Sequence, residues 1–285
     1  MPATRVDRLE KAPSYGPDAL IADLEDTVPP AEKPRARGNV RRYLEGGPPI
    51  PIWVRPESFG TAYWEDDVRA VAWRGLTGLF LPKVAGVDHV RAFDALLGAL
   101  ERERGLPEGS ILLIAMPESA LGVRCLFDAL GASPRVIGAG FAGAEGGDMI
   151  NDLGATWTSE GSELLYARSK VVLDTRAAGK DVIVDGVFAD LEDTATLTHD
   201  TQFAKRLGFT ARCAIHPKQV AVINDAFTPR PDEIRYYERM LEAFRAAEAE
   251  GNAAVRYEGR LVDYAMVKNA ERILARASRL RPAPA

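Results

Sequence analysis

Apolar residues in this chain fall into short unbroken runs separated by longer stretches of mixed polarity. The clearest run is Ile111 to Ala115, ILLIA. It has no polar member, the pattern of a strand buried on both faces. Similar runs bounded by turn residues predict strands over 18–23, 50–54, 78–81, 135–139, 181–184 and 211–215, seven in all. Amphipathic stretches between them predict helices over 31–45, 65–74, 87–104, 119–130, 162–178 and 189–207. Ser119 is placed to cap the fourth of these. Strands and helices alternating at this spacing suit right-handed crossovers and hence a parallel sheet. A short helix over 6–12 precedes the first strand. After residue 224 the pattern changes to a charged helix over 231–248, a connection over 251–259 and a last helix over 261–277.

Seven strands are one fewer than a closed barrel needs. The expected architecture is a (β/α)8 TIM barrel over 1–228 with a truncated first strand, followed by a C-terminal helical extension over 229–285. Either the chain starts late, or residues 1–5 supply a vestigial strand. An open doubly wound sheet normally carries GxGxxG after its first strand, and none stands there.

Composition narrows the partners. Apolar residues make up 46% and charged residues 27% of the 285, and the net charge of −5 comes from interspersed acids and bases. Without a basic tract, nucleic acid and anionic membranes are not expected partners. No run is long enough to span a membrane and no signal-peptide pattern opens the chain, so a cytoplasmic location is expected. Cys125 and Cys213 have no metal or redox spacing and read as buried thiols of a reducing compartment.

The chemistry lies where the strands stop. The predicted strands run into Asp23/Glu25/Asp26, Arg55, Lys83, Glu118, the 145–148 loop, Asp185 and His216. A charge at a strand end can simply cap the next helix. A barrel, however, brings all these ends to one rim, where they form a shared site. Carboxylates predominate, and there is no HxH, CxxC or GxSxG. Such oxygens suit Mg²⁺, which takes one or two carboxylates and keeps much of its water. Glu118 and Asp148 are the best-placed metal pair, and Arg55 can hold a carboxylate or phosphate bidentately. Lys83 either binds a phosphate or pairs with a neighbouring acid.

Several segments carry a family resemblance: DLEDTVPPAEKPRAR (23–37), LPKV (81–84), PESALGV (117–123), GDMINDLG (147–154), VDGVFADLED (184–193), AIHPKQVAVIND (214–225) and LVDYAMVKNAERIL (261–274). In these the chain resembles the citrate lyase β-subunit-like proteins of the HpcH/HpaI aldolase superfamily, relatives of malyl-CoA and citramalyl-CoA lyases. The resemblance implies a (β/α)8 barrel with a helical extension, assembled as a homotrimer or hexamer. It implies Mg²⁺ on the positions of Glu118 and Asp148, and a substrate-carboxylate arginine at Arg55. It also implies an acid/base aspartate, Asp263, reaching a neighbouring subunit's site. The implied reaction is Claisen-type cleavage of a citryl-, malyl- or citramalyl-thioester, on CoA or an acyl carrier, to an oxo acid such as oxaloacetate and an acetyl-thioester. Glu25 and Asp26 would then orient metal-bound water. Malate synthase, malyl-CoA thioesterase and an aldolase of free hydroxy-oxo acids are alternative activities, and a non-catalytic subunit is a further one.

The chain departs from the family pattern at three places. Arg55-Pro56-Glu57 replaces R-x-N, Met116-Pro117 replaces the usual lead-in to Glu118, and Glu145-Gly146-Gly147-Asp148 alters the acidic spacing, leaving Glu145 as a second candidate ligand. His216-Pro217 reads as a strand terminator, Asp190 and Asp193 as the start of a helix, and the four tryptophans as packing. Lys33, Arg35 and Arg37 read as a solvated helix face.

Overall fold

The computed structural model describes residues 1–280. The chain divides into two compact units, Met1–Ala226 and a second beginning at Phe227. In the first, α1 (Val6–Lys11) precedes β1 (Leu20–Asp23), and the alternation continues with α2 (Lys33–Glu45), β2 (Ile52–Arg55), α3 (Trp64–Val71), β3 (Gly78–Leu81), α4 (Val87–Arg104) and β4 (Leu112–Ala115). It then runs through α5 (Ala120–Leu130), β5 (Val136–Gly140), α6 (Asp148–Leu153), α7 (Leu165–Ala177), β6 (Val182–Asp185), α8 (Thr194–Leu207), β7 (Ala211–Arg212) and α9 (Pro217–Phe227).

The seven strands form one parallel sheet in sequential order β1 to β7. Alternation along each strand sends side chains to opposite faces. Trp53, Phe80, Ile114, Met116 and Val184 make a cluster on one of them. Leu79, Leu81, Leu113 and Ile183 are buried on the other, as expected of a sheet covered on both faces. Gly138 permits the close approach of β5 to β6: a Cβ there would stand 1.8 Å from the Val182 carbonyl oxygen. Ser119 caps α5 by accepting the Gly122 N–H at 3.1 Å.

At the first strand's place the structure has an isolated bridge rather than a full strand. Pro2 forms a parallel bridge to Asp23, with Asp23 N–H donating to Met1 O at 2.8 Å and Ala3 N–H to Asp23 O at 2.9 Å. This segment extends the sheet beyond β1, and among the described residues no ladder joins β7 to β1. The last strand is shorter than expected, ending at Arg212. Helix α8 starts at Thr194 rather than 189, because Asp193 accepts the Thr196 N–H at 2.9 Å and so caps the helix there.

The second unit corrects the sequence reading. Helix α10 (Pro231–Ala249) is followed by a hairpin, β8 (Ala254–Tyr257) and β9 (Arg260–Asp263), and then by α11 (Tyr264–Leu280). The hairpin replaces both the expected connection and the first turn of the last helix. Its two-residue turn, Glu258-Gly259, has positive φ at both positions (45° and 80°), the conformation that matches strand twist. Met240, Leu241, Phe244, Val262 and Ala270 form this unit's core. Among the described residues, no helix is long and apolar enough to cross a membrane.

Candidate active site

Every strand of a parallel sheet delivers its last residue to the same rim, and the charged residues of β1 to β5 meet there. Arg55, ending β2, lies opposite Asp23 in the β1 ladder. It grips that carboxylate bidentately, Nε to Oδ1 at 2.7 Å and Nη2 to Oδ2 at 2.8 Å. Its third nitrogen, Nη1, reaches Glu25 Oε2 at 3.1 Å and Asp26 Oδ2 at 3.3 Å. Burial alone would raise the Asp23 carboxyl, but the Arg55 guanidinium and the Thr27 hydroxyl hold it below its ordinary range. Burial likewise opposes the charge on Arg55, and Asp23 with its acidic neighbours outweighs it. The bidentate edge of Arg55, which the sequence reading assigned to substrate, is engaged by Asp23.

Lys83 joins the remaining acids. It follows β3 in the left-handed region, at φ 51°, an uncommon conformation for a side chain of its size. Its Nζ lies 3.0 Å from Glu25 Oε1, 3.3 Å from Asp26 Oδ1 and 3.2 Å from Asp148 Oδ2. Its backbone N–H donates to Glu118 Oε1 at 3.3 Å. One residue thus contacts Glu25, Asp26, Glu118 and Asp148, and its ammonium is ion-paired with three of them. Those acid pairs hold its ammonium charged despite the opposing effect of burial.

Two buried acids of the cluster are pushed toward their neutral forms. Glu118 is 5% exposed and Glu25 3%. Burial pushes the Glu118 carboxyl up to about 7, with Asp148 adding to the shift and Arg55 and Lys83 opposing it. Burial pushes Glu25 up to about 8, against the pull of Arg55. Both Glu25 oxygens are shielded from solvent without a well-directed hydrogen bond. Five carboxylates here face two cations, and this excess of negative oxygen fits a hard divalent ion. Glu118 and Asp148, both held by Lys83, are the residues that could ligate it. Among the described residues no group of three His, Cys, Asp or Glu is disposed to hold a metal. Held by two carboxylates, such an ion would keep much of its water, as Mg²⁺ does.

Glu145 lines a separate pocket with Trp157, Phe188, Arg168 and Arg212. Asp263 lies in the second unit, where it ends β9 and accepts the N–H groups of Ala265 and Met266, capping α11. His216 Nδ1 accepts the Lys218 N–H, a local turn contact.

The solvated-face reading of α2 fails for two of its three cations. Lys33 is 2% exposed, with its Nζ 2.6 Å from Leu24 O and ion-paired to Glu57, and Arg37 binds Asp67 at 2.6 Å. Both turn inward because carbonyls and carboxylates of the loop after β1, the segment after β2 and the start of α3 require donors; Arg35 alone of the three is exposed. Sequence reasoning also missed a quartet of Arg168, Asp185, Asp200 and Arg212. Arg168 reaches Asp185 and Asp200, both at 2.8 Å, and Arg212 reaches Asp200 at 2.6 Å. Only Asp185 carried a signal, as a strand end.

The HpcH/HpaI aldolase/citrate lyase family matches over residues 1–217. The citrate lyase subunit beta of Leuconostoc mesenteroides is 31% identical, covering 98% of this chain and 91% of that protein. The L-malyl-CoA/beta-methylmalyl-CoA lyase of Cereibacter sphaeroides is 32% identical, covering 97% and 92%. The crystal structure of the protein CitE from Mycobacterium tuberculosis, in complex with magnesium, acetoacetate and coenzyme A, has a TM-score of 0.77 and is 29% identical over 98% of this chain and 96% of that one.

Proposed function

The chain belongs to the HpcH/HpaI aldolase/citrate lyase family, and from that premise we propose that it is a Mg²⁺-dependent carbon–carbon lyase. Its substrate is a citryl-, malyl- or citramalyl-thioester, cleaved to an oxo acid such as oxaloacetate and an acetyl-thioester. The observation that carries this reading is the cluster that Lys83 ties together, with Glu25, Asp26, Glu118 and Asp148 beside Arg55. A binding scaffold has no need to gather so many like charges at one rim, where each raises the others' cost of ionisation.

Glu118 and Asp148 would hold the metal, with Glu25 and Asp26 beside them to orient water. When bound, Mg²⁺ supplies Lewis-acid stabilisation of the substrate's hydroxyl and carboxylate oxygens. Arg55 Nη1, which Asp23 does not engage, would exchange its Glu25 and Asp26 contacts for the substrate carboxylate, and Lys83 gives that anion a second cation. In cleavage the hydroxyl passes its proton to solvent water and the carbinol carbon becomes the carbonyl of the oxo acid. The bond to the thioester's α-carbon breaks, and its electron pair passes into the enolate. Asp263, from a neighbouring subunit of a homotrimer or hexamer, protonates that α-carbon. In support, the Asp263 side chain is exposed and its hydrogen bonds go to backbone N–H groups.

The same reading closes the sheet into a (β/α)8 barrel with Met1–Ala3 in the first strand's place. Met1 lies within electrostatic reach of Cys213, the residue after β7, which supports that closure.

The test is to incubate the protein with malyl-CoA, citramalyl-CoA and citryl-CoA, with MgCl₂ or with EDTA, and to follow the oxo acid with a coupled dehydrogenase. Release of oxo acid and acetyl-CoA from one of them, lost in EDTA, is the expected result. Full turnover in EDTA would overturn the metal dependence, and no cleavage of any thioester alongside cleavage of a free hydroxy-oxo acid would replace the reading with the aldolase one.

A further inference from the structure

Lys33, in the first turn of α2, is among the most deeply buried side chains of the first unit. Burying an ammonium is unfavourable unless its donors are met, and here they are met by two different strand-end loops. Its Nζ donates to Leu24 O at 2.6 Å and reaches Glu25 O at 3.5 Å, both in the loop after β1. It is ion-paired with Glu57, two residues beyond Arg55 in the segment after β2, and lies 5.5 Å from the centre of the Tyr63 ring. Glu57 is anchored in turn. Its N–H donates to Asp67 Oδ2 at 2.9 Å, and Arg37 binds both Asp67 Oδ1 and the Tyr63 carbonyl.

We propose that Lys33 is a positioning residue for the active site, acting beneath it to set the spacing between Glu25 and Arg55. The β1–β2 register ends with Leu24 N–H donating to Arg55 O at 2.9 Å. Beyond that bond the two loops separate, and the Lys33 ammonium spans them. Glu25 depends on this span because, beside its ion pairs with Arg55 and Lys83, its carboxylate has no well-directed hydrogen bond. Its place is set through its backbone, whose carbonyl faces Lys33 and also accepts the Val28 N–H at 3.1 Å. A side chain that only filled volume would not need the charge, since a buried ion pair is often replaceable by apolar packing.

This inference rests on the metal-dependent reading of the site, and the experiment separates the two. Lys33→Met and Glu57→Gln are titrated with MgCl₂ by calorimetry, and amide exchange over residues 24–28 is measured in EDTA. The expected result is an Mg²⁺ affinity at least about tenfold weaker in Lys33→Met, the scale of losing an outer-layer support. Glu57→Gln loses less, and in both variants the Val28 amide exchanges faster. A folded variant with the parent's Mg²⁺ affinity and the parent's Val28 exchange overturns the proposal. Should Lys33→Met fail to fold, Glu57→Gln decides by the same two readouts. If the parent protein takes up no Mg²⁺, the metal reading fails, and Val28 exchange alone then judges Lys33.

Discussion

Replacing Glu118 with Gln separates what the site does for chemistry from what it does to stability. Gln keeps the shape and can still accept the Lys83 N–H, now at 3.3 Å from Oε1. What it removes is a charge that burial disfavours, on a carboxyl pushed from 4.5 up to about 7. Because the folded state releases this proton later than the unfolded state, it binds more protons between those values. Stability contributed by this group therefore falls as pH rises from about 4.5 to 7, and the full penalty applies above that window. At 1.36 kcal/mol for each pKa unit the penalty is on the order of 3 kcal/mol. In EDTA at pH 8, Glu118→Gln should thus melt higher than the parent, by roughly 6–12 °C for a unit of this size. At pH 4 the two should coincide. Adding MgCl₂ should raise the parent's melting temperature through mass action and leave the variant unmoved. Scanning calorimetry at the two pH values, with and without metal, reads all four conditions. Undiminished Mg²⁺ stabilisation of the variant, or a variant less stable than the parent at pH 8 in EDTA, would falsify the assignment of Glu118 as a strained metal ligand.

Three further outcomes follow from the geometry. Arg55→Lys exchanges a fork for a point charge and leaves buried Asp23 half-paired, so urea unfolding should show a loss of about 3 kcal/mol, with a raised KM for the oxo acid in the synthetic direction. Asp263→Asn preserves the cap of α11, since Asn caps as well as Asp; turnover should drop by about 10²–10⁴-fold in steady-state assays, while calorimetric Mg²⁺ affinity stays at the parent's value. The third concerns Glu101, buried on α4 and bound to Arg135 Nη1 and Nη2 at 2.7 and 2.6 Å. Burial would raise its carboxyl, but Arg135 and the N–H groups of Ile111 and Gly109 hold it below its ordinary value. Its contribution is complete above the unfolded carboxyl range and is lost as pH falls through the lower folded value. Glu101→Gln should therefore lower the melting temperature at pH 7 more than at pH 3, and an equal loss at both would rule out the charge as the cause.

The sequence by itself determined the alternation of strands and helices and the residues that end each strand. That information is local: an unbroken apolar run must be buried, and the charged residue that stops it must sit at the rim. Glu25, Asp26, Arg55, Lys83, Glu118 and Asp148 were legible on this ground, as was Ser119 as a cap. The hairpin before α11 was not, because its Glu258-Gly259 turn lacks the usual Asn-Gly or Asp-Gly signature and three of its eight strand residues are charged. Tertiary structure alone decided who pairs with whom. Asp23 takes the bidentate edge of Arg55 because the parallel register sets the two opposite each other, a relation between residues 32 apart that no periodicity encodes. Lys33 reads as a surface lysine on a charged helix until folding sets two carbonyls and a carboxylate above it. Arg168 and Asp200 stand on helices with no motif around them, and only the packing of α7 and α8 against the ends of β6 and β7 gives them partners. Burial makes an unpaired charge costly, so the fold, not the local pattern, selects these partners.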